Sequence, residues 1–180
     1  MKILVVVDMQ NDFITGSLGT KEAQAIVPNV KKKIEEAMKN HDLIVYTQDT
    51  HFENYLDTKE GKKLPIPHCI YQTDGWKIPN ELFISSNYDR AEFIDKFTFG
   101  STELCELIAN NGLAMSCDEI ELVGLCTDIC VVSNALLLKA RFYQTKEISV
   151  DATCCAGVTP ETHEAALKTM EMCQINVKRG

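Results

Sequence analysis

No stretch of this 180-residue chain approaches the ~20 consecutive apolar residues that a membrane span needs. The N-terminal apolar run Ile3 to Val7 stops at Asp8 after five residues, too short for the apolar core of a secretion signal. Basic residues never run beyond the three of Lys31 to Lys33, and the formal net charge is −8. Nucleic acid and anionic membrane surfaces both draw on clustered Lys and Arg, so neither is an expected partner. Eight cysteines include no C-x-x-C pair, which removes the zinc ribbon and the thioredoxin-type motif. Gly-rich phosphate loops are missing too. So are internal repeats, low-complexity tracts and linkers. The expectation is one acidic, cytoplasmic domain over residues 1–180.

What is present fits an ordinary globule. Hydrophobic residues make up 45% and charged residues 24%, and a chain of this size buries roughly 70% of its unfolded surface. The cysteines then read as reduced thiols, most of them small buried hydrophobes. Any role for one of them must come from its position.

Short apolar runs alternate with longer segments of helical period. Ile3 to Val7, Leu43 to Thr47, Glu92 to Asp95, Ile120 to Val123 and Ile148 to Val150 read as strands, and Ile175 to Val177 as a short last one. Helix-spaced Ile26, Val30, Ile34, Ala37 and Met38 end near Asn40. Ser101 opens a second helix that Gly112 closes, Thr127 caps an apolar helix running to about Ala140, and Thr159-Pro160-Glu161 starts the last. Continuous apolar strands alternating with helices predict an α/β fold: a three-layer, doubly wound, Rossmann-like parallel sheet with helices on both faces. Residues 50–90 break the rhythm, holding three of the five prolines, the one Trp and two of the four histidines. An excursion this long is usually functional.

Open α/β sheets bind ligands outside the carboxyl ends of their strands. The residues just beyond the predicted strands are, in chain order, Asp8, then Asp49 and His51, then Lys96, then Gly124 to Cys130, then Asp151. An acid, a base, a thiol and metal-type ligands are thus expected on one edge. Polar caps and turn residues would be the plainer account of the same set. Cys130 falls in the first turn of the helix that begins near Thr127, where the dipole and free N–H groups favour the nucleophilic thiolate. Cys126 lies before that helix, its backbone N–H available to the same crevice. Packing of a tight strand-to-helix turn is the alternative for both. His41 and His163 lie away from this edge, so the base for the thiol must be a carboxylate. Asp8 is the one placed for it.

Asp8-Met9-Gln10-Asn11-Asp12-Phe13, Lys96 after a strand, and Gly124-Leu125-Cys126-Thr127-Asp128-Ile129-Cys130-Val131 together resemble the isochorismatase-like cysteine hydrolase superfamily. The match runs in order over essentially the whole chain. The resemblance implies an Asp8, Lys96 and Cys130 triad, an oxyanion hole from the N–H groups of Cys126 and Cys130, and a cis peptide at Leu125–Cys126. Phe13 and Leu125 are implied pocket walls.

Gln48-Asp49-Thr50-His51 and Pro67-His68 look like the metal site of the nicotinamidase/pyrazinamidase branch. Asp49 and His51, at i and i+2 of an extended segment, point to the same side. With His68 they would hold one divalent ion, Zn²⁺, Mn²⁺ or Fe²⁺. Glu60, Asp57, Glu53 or water are open as a fourth ligand, and loop histidines in ordinary hydrogen bonds are the simpler alternative. Two features depart from that branch. Leu64-Pro65-Ile66-Pro67 precedes His68 where an aromatic is common, leaving Trp76 or Tyr71 to flank a substrate ring, and a cysteine stands at 126 where a smaller residue is usual.

The resemblance implies a metal-containing cysteine amidohydrolase deamidating a small carboxamide, nicotinamide first, through a thioester. An isochorismate-type vinyl ether or a carbamoyl or ureido amide is the alternative substrate, and a non-catalytic binding protein the alternative class. The family's habit also implies a homo-oligomer.

Overall fold

A computed structural model describes residues 1–84 and 88–180. Its strands are β1 (Ile3–Val7), β2 (Leu43–Asp49), β3 (Ala91–Lys96), β4 (Glu119–Leu125), β5 (Glu147–Ala156) and β6 (Asn176–Lys178). They form one sheet in the order β3-β2-β1-β4-β5-β6, every pair parallel. Helices α1 (Asn11–Ile14), α2 (Lys21–Lys39), α3 (Thr102–Asn110), α4 (Val132–Phe142) and α5 (Pro160–Met172) cover it.

The period of two along β1 sorts the core into two layers. Ile3, Val5 and Val7 pack with Leu104 and Ile108 of α3, Leu138 of α4 and Leu167 of α5. Leu4 and Val6 pack on the other face with Ile26, Val30 and Ile34 of α2. Full burial of such a side chain stabilises by about 1.5–3 kcal/mol, so both faces of β1 must be apolar. The helices start where their caps dictate. Thr20 and Ser101 accept from Ala23 N–H and Leu104 N–H, and Thr159 forms a capping box with Thr162 ahead of Pro160. The doubly wound α/β fold expected from the alternation is the fold observed.

Several element limits differ from the sequence reading. β2 continues through Asp49 and β3 through Lys96, so both residues end strands rather than follow them. β5 runs to Ala156 instead of stopping at Val150, because a register shift against β4 between Leu122 and Gly124 lets pairing resume. Asp151 is therefore not at the carboxyl edge. It sits within β5, its carboxylate 2.5 Å from Lys33 of α2. Thr127 is not a cap either: Cys126 precedes a π-helical turn, Thr127–Val131, that leads into α4. Gly124 makes the close approach of β4 to β1 possible. Its φ is +119°, and a Cβ there would lie 2.1 Å from the Val7 carbonyl oxygen.

β1 lies between β2 and β4, which makes its carboxyl end the point where the winding reverses. Asp8 leaves β1 at this point with φ +47°, a left-handed conformation that costs a non-glycine residue about 1–3 kcal/mol and clusters at functional sites.

Candidate active site

Asp8, Lys96 and Cys130 come from the carboxyl ends of β1 and β3 and from the turn after β4, and they meet in one buried group. Lys96 is 0% exposed, Asp8 0% and Cys130 5%. The Lys96 ammonium lies 2.7 Å from Asp8 Oδ2, 3.0 Å from Asp49 Oδ1 and 3.4 Å from Cys130 Sγ. It also donates to the Thr98 carbonyl at 3.2 Å. Asp8 Oδ1 accepts the Thr47 hydroxyl at 2.7 Å. Its Oδ2, though close to Lys96, has no aligned hydrogen-bond donor. That oxygen keeps a lone pair for an incoming proton.

The burial sets the proton affinities. Removal from water pushes Asp8 above the usual carboxylate range against the pull of Lys96. Burial would deprotonate Lys96, but the Asp8 and Asp49 carboxylates hold it firmly charged. The Cys130 thiol goes the opposite way from the sequence expectation. Burial and the Asp8 carboxylate push it well above the ordinary thiol value, because complete desolvation outweighs a helix-terminal dipole. Cys130 rests as a thiol beside a strengthened base.

The turn that carries Cys130 is widened. The Cys126 carbonyl accepts from both Ile129 N–H (3.1 Å) and Val131 N–H (3.0 Å), a π-type ring of the kind found at functional sites. The Leu125–Cys126 peptide is cis. Asn134 of α4 ties this turn to the loop after β3: its amide donates to the Cys130 and Phe99 carbonyls, and its oxygen accepts Ser101 N–H. His163, placed away from the site by the sequence reading, in fact reaches the turn, with Nδ1 2.8 Å from the Thr127 hydroxyl. Only the packing of α5 under the turn reveals that contact.

The other polar residues of the first motif also find roles that spacing did not show. Gln10 clamps the end of β2, accepting Asp49 N–H at 2.7 Å and donating to the Asp49 and Trp76 carbonyls. Asp12 accepts Cys69 N–H at 2.8 Å. Together they tie Cys69 and Trp76 of the excursion to the segment that follows β1. A single parallel bridge, His51 with Ile70, then brings His51 and His68 together.

Asp49, His51 and His68 gather their ligand atoms within 4.8 Å of one another, all three residues buried. His51 Nε2 is 3.0 Å and His68 Nε2 3.5 Å from Asp49 Oδ2. His68 Nδ1 pairs with the Ile66 carbonyl at 2.8 Å, which holds the hydrogen on Nδ1 and turns the Nε2 lone pair inward. His51 Nε2 is buried without an aligned hydrogen-bond partner. Such an orphaned atom between a carboxylate and a second imidazole fits a divalent transition-metal ion. Glu60 Oε1 stands 3.7 Å and 3.9 Å from the two Nε2 atoms, which favours it over Asp57 or Glu53 as a further ligand. Despite burial, the adjacent imidazoles of His51 and His68 and the charge of Lys96 hold Asp49 well below the usual carboxylate range.

A cavity of about 510 Å³ opens on this group, lined in part by Phe13, Leu125, Cys126, Cys130, Asp49 and His68. Phe13 and Leu125 line this cavity, and Phe13 packs 5.5 Å from the His68 ring. Trp76 and Tyr71 do not line it. The Trp76 indole donates to Thr50 and stacks edge-on with Tyr71 away from the cavity, and Phe99 supplies the aromatic wall instead.

The isochorismatase domain family matches residues 2–178. The nicotinamidase/pyrazinamidase of Mycobacterium tuberculosis is 29% identical over 188 residues, 98% of each chain. The pyrazinamidase of Pyrococcus horikoshii, solved in complex with zinc, superposes with a TM-score of 0.83 at 28% identity over 99% of both chains. N-carbamoylsarcosine amidase from Thermoplasma acidophilum gives 0.79 at 29% identity, covering 99% of this chain and 96% of its own. Fold, motif order and relatives agree: the chain belongs to the isochorismatase family.

Proposed function

We propose that this amidohydrolase is a metal-containing cysteine enzyme that deamidates a small carboxamide, nicotinamide first, through a thioester, with residues 1–180 acting as one domain. The observation that carries the reading is the continuity of Asp8, Cys130 and Lys96 with Asp49, His51 and His68 through the Lys96–Asp49 pair. A thiol beside a base and a ligand group facing the same cavity is what an amide with a coordinating ring atom requires.

Asp8 Oδ2 takes the proton of the Cys130 thiol, a transfer helped by the raised affinity of the carboxylate. Lys96 stabilises the thiolate and the negative charge left on the group. Sγ attacks the amide carbon, and the N–H groups of Cys126 and Cys130 hold the oxyanion. Asp8 returns the proton to the leaving ammonia, and the thioester remains on Cys130. Asp8 then takes a proton from water, whose oxygen attacks the thioester; the C–S bond breaks, the acid leaves and Asp8 returns the proton to Cys130 Sγ. Asp49, His51 and His68 would hold the ion, with Glu60 beside them, and the chemistry the ion supplies when bound is a Lewis-acid anchor for a ring nitrogen. Phe13, Leu125 and Phe99 flank the ring.

Likeness to N-carbamoylsarcosine amidase supports a carbamoyl or ureido amide as second reading. Ammonia release from nicotinamide, pyrazinamide and ureido compounds tests both. Nicotinamide turnover with a thioester trapped on Cys130 supports the first reading, ureido turnover alone moves the substrate to the second, and inertness toward every amide overturns both. Two exposed aromatic pairs, Phe52 with Phe97 and Phe83 with Phe93 of the edge strand β3, support a homo-oligomer. Eight unpaired cysteines support a reducing, cytoplasmic setting, and no described helix is long and apolar enough to cross a membrane.

A further inference from the structure

The cavity is larger than a single-ring amide needs. At about 510 Å³ it falls among pockets that enclose drug-sized ligands, ~300–1,000 Å³. Beyond Cys130, Cys126 and Leu125 its walls continue over Leu18, Leu64 and Val158, predominantly apolar. Cys130 is buried while Lys59 and Lys63, which line the same space, are exposed. The cavity thus runs from a buried reactive floor to a solvent side marked by two cations four residues apart in sequence.

The charge at that side is not spent elsewhere. Neither Lys59 nor Lys63 forms an ion pair among the described residues. Glu60, the carboxylate between them in sequence, is turned to the imidazoles of His51 and His68 at 3.7 and 3.9 Å. In a chain of net charge −8, a negative ligand meets repulsion except where cations are concentrated. A concave surface with apolar walls focuses the field of such cations. Lysine stems also cover apolar surface, but that role needs no charge.

We propose, on the basis of the amidohydrolase reading, that the site takes carboxamides with an apolar body and a distal acidic group. The amide carbon lies at Cys130, the body along the apolar walls, and the acid at Lys59 and Lys63. The carboxylate formed by hydrolysis arises at the buried end and is a separate anion. A neutral single-ring amide fills only the floor and gains nothing from the lysines.

The experiment compares monoamides of aryl dicarboxylic acids of increasing length with the matching amides in which a methyl group replaces the acid. Ammonia release is followed at low and high salt, with nicotinamide run alongside. The same ligands are titrated by calorimetry against Cys130→Ala, which reads binding without turnover. Wild type is expected to favour the acid by about tenfold or more in kcat/KM, an advantage that shrinks with salt. The double substitution Lys59→Gln and Lys63→Gln should bring that ratio toward one, and Lys59→Arg with Lys63→Arg should restore it. Equal rates for acid and methyl amide in wild type, or an undiminished ratio in the glutamine variant, overturn the proposal. Nicotinamide turnover with no preference for acids removes this inference and leaves the amidase reading standing. Lysine-dependent binding of acids with no ammonia from any amide supports the recognition and removes the amidase reading.

Discussion

Lys96 and Asp49 form a buried ion pair, Nζ to Oδ1 at 3.0 Å, that makes one unit of two groups of side chains. The ammonium faces Asp8 and Cys130 on one side, and the second oxygen of Asp49 faces His51 and His68 on the other. Burying these charges is costly, and their mutual attraction offsets the cost only while the set is complete. Changes at Asp49 therefore disturb both groups, whereas changes at the histidines probe the ligand set alone.

Cys130→Ala is expected to lower amide turnover by about 10⁴-fold or more, since the covalent route is lost. Cys126→Ala keeps its backbone N–H and should stay within about tenfold of wild type. Steady-state ammonia release on the two purified variants separates them. An active Cys130→Ala with a dead Cys126→Ala would reverse the assignment.

Asp8→Asn should reduce kcat/KM by about 10²–10⁴-fold, the usual contribution of a positioned base, with a smaller loss of stability than removal of Lys96, because Lys96 keeps Asp49 as its counter-charge. Lys96→Ala should do more. It leaves Asp8 and Asp49 buried without their counter-charge, which is expected to cost about 3–5 kcal/mol of stability as well as activity. Kinetics paired with urea unfolding distinguish a lost base from a lost fold. Near-normal rates for both variants would require a different base.

Protein purified without chelator should carry about one transition-metal ion per chain by elemental analysis. His51→Ala combined with His68→Ala should abolish it. Chelation is expected to act mainly on KM for nicotinamide, because the thiol and its base lie on Cys130 and Asp8 rather than in the ligand set. Full-rate nicotinamide cleavage by metal-free wild type would rule out an anchoring role.

Acid stability should depend on Glu121, a fully buried carboxylate of β4. It contacts Lys2, lies 2.8 Å from Lys178 and lies 3.4 Å from Lys33. Burial opposes its ionisation, yet the hydrogen bonds from Lys178 and Lys2 and the charges of Lys2 and Lys33 hold its pKa below the ordinary value of 4.5. A folded value below the unfolded one contributes stability that is complete above about pH 4.5 and is lost as pH falls through the folded value. Glu121→Gln should cost about 1–3 kcal/mol at pH 7, a buried-pair loss reduced by the partial exposure of the lysines. The gap to wild type should narrow at pH 3. A gap that is constant with pH would show that the pair contributes nothing through its charge.

The doubly wound α/β fold, the helix starts at Ser101 and Thr159, and the placing of Asp8, Lys96 and Cys130 at one edge were legible in the residues. Each depends on local pattern: continuous apolar strands, capping side chains, and reactive residues at strand ends that parallel pairing must place along one edge. Asp151 shows where that logic fails. Whether β5 stops at Val150 or resumes after a register shift is decided by pairing with β4, and no residue of β5 announces it. The role of His163 is hidden for a related reason, since its partner Thr127 lies 36 residues away and only helix packing brings them together.

The sequence by itself determined the fold class, because hydrophobic period is a property of the chain, and its resemblance to a family singled out Asp8, Lys96 and Cys130 and the Asp49, His51 and His68 set. Tertiary structure decided the proton affinity of Cys130. Cys130 reads as a thiolate from its helix position and rests as a thiol once burial and Asp8 surround it. It also decided how the segment from Thr50 to Trp76 folds back, through Gln10 and Asp12, to put Glu60 beside the imidazoles and Lys59 and Lys63 along the cavity. Desolvation and long-range contacts depend on what surrounds a residue in space, and neighbours in space are not neighbours in sequence.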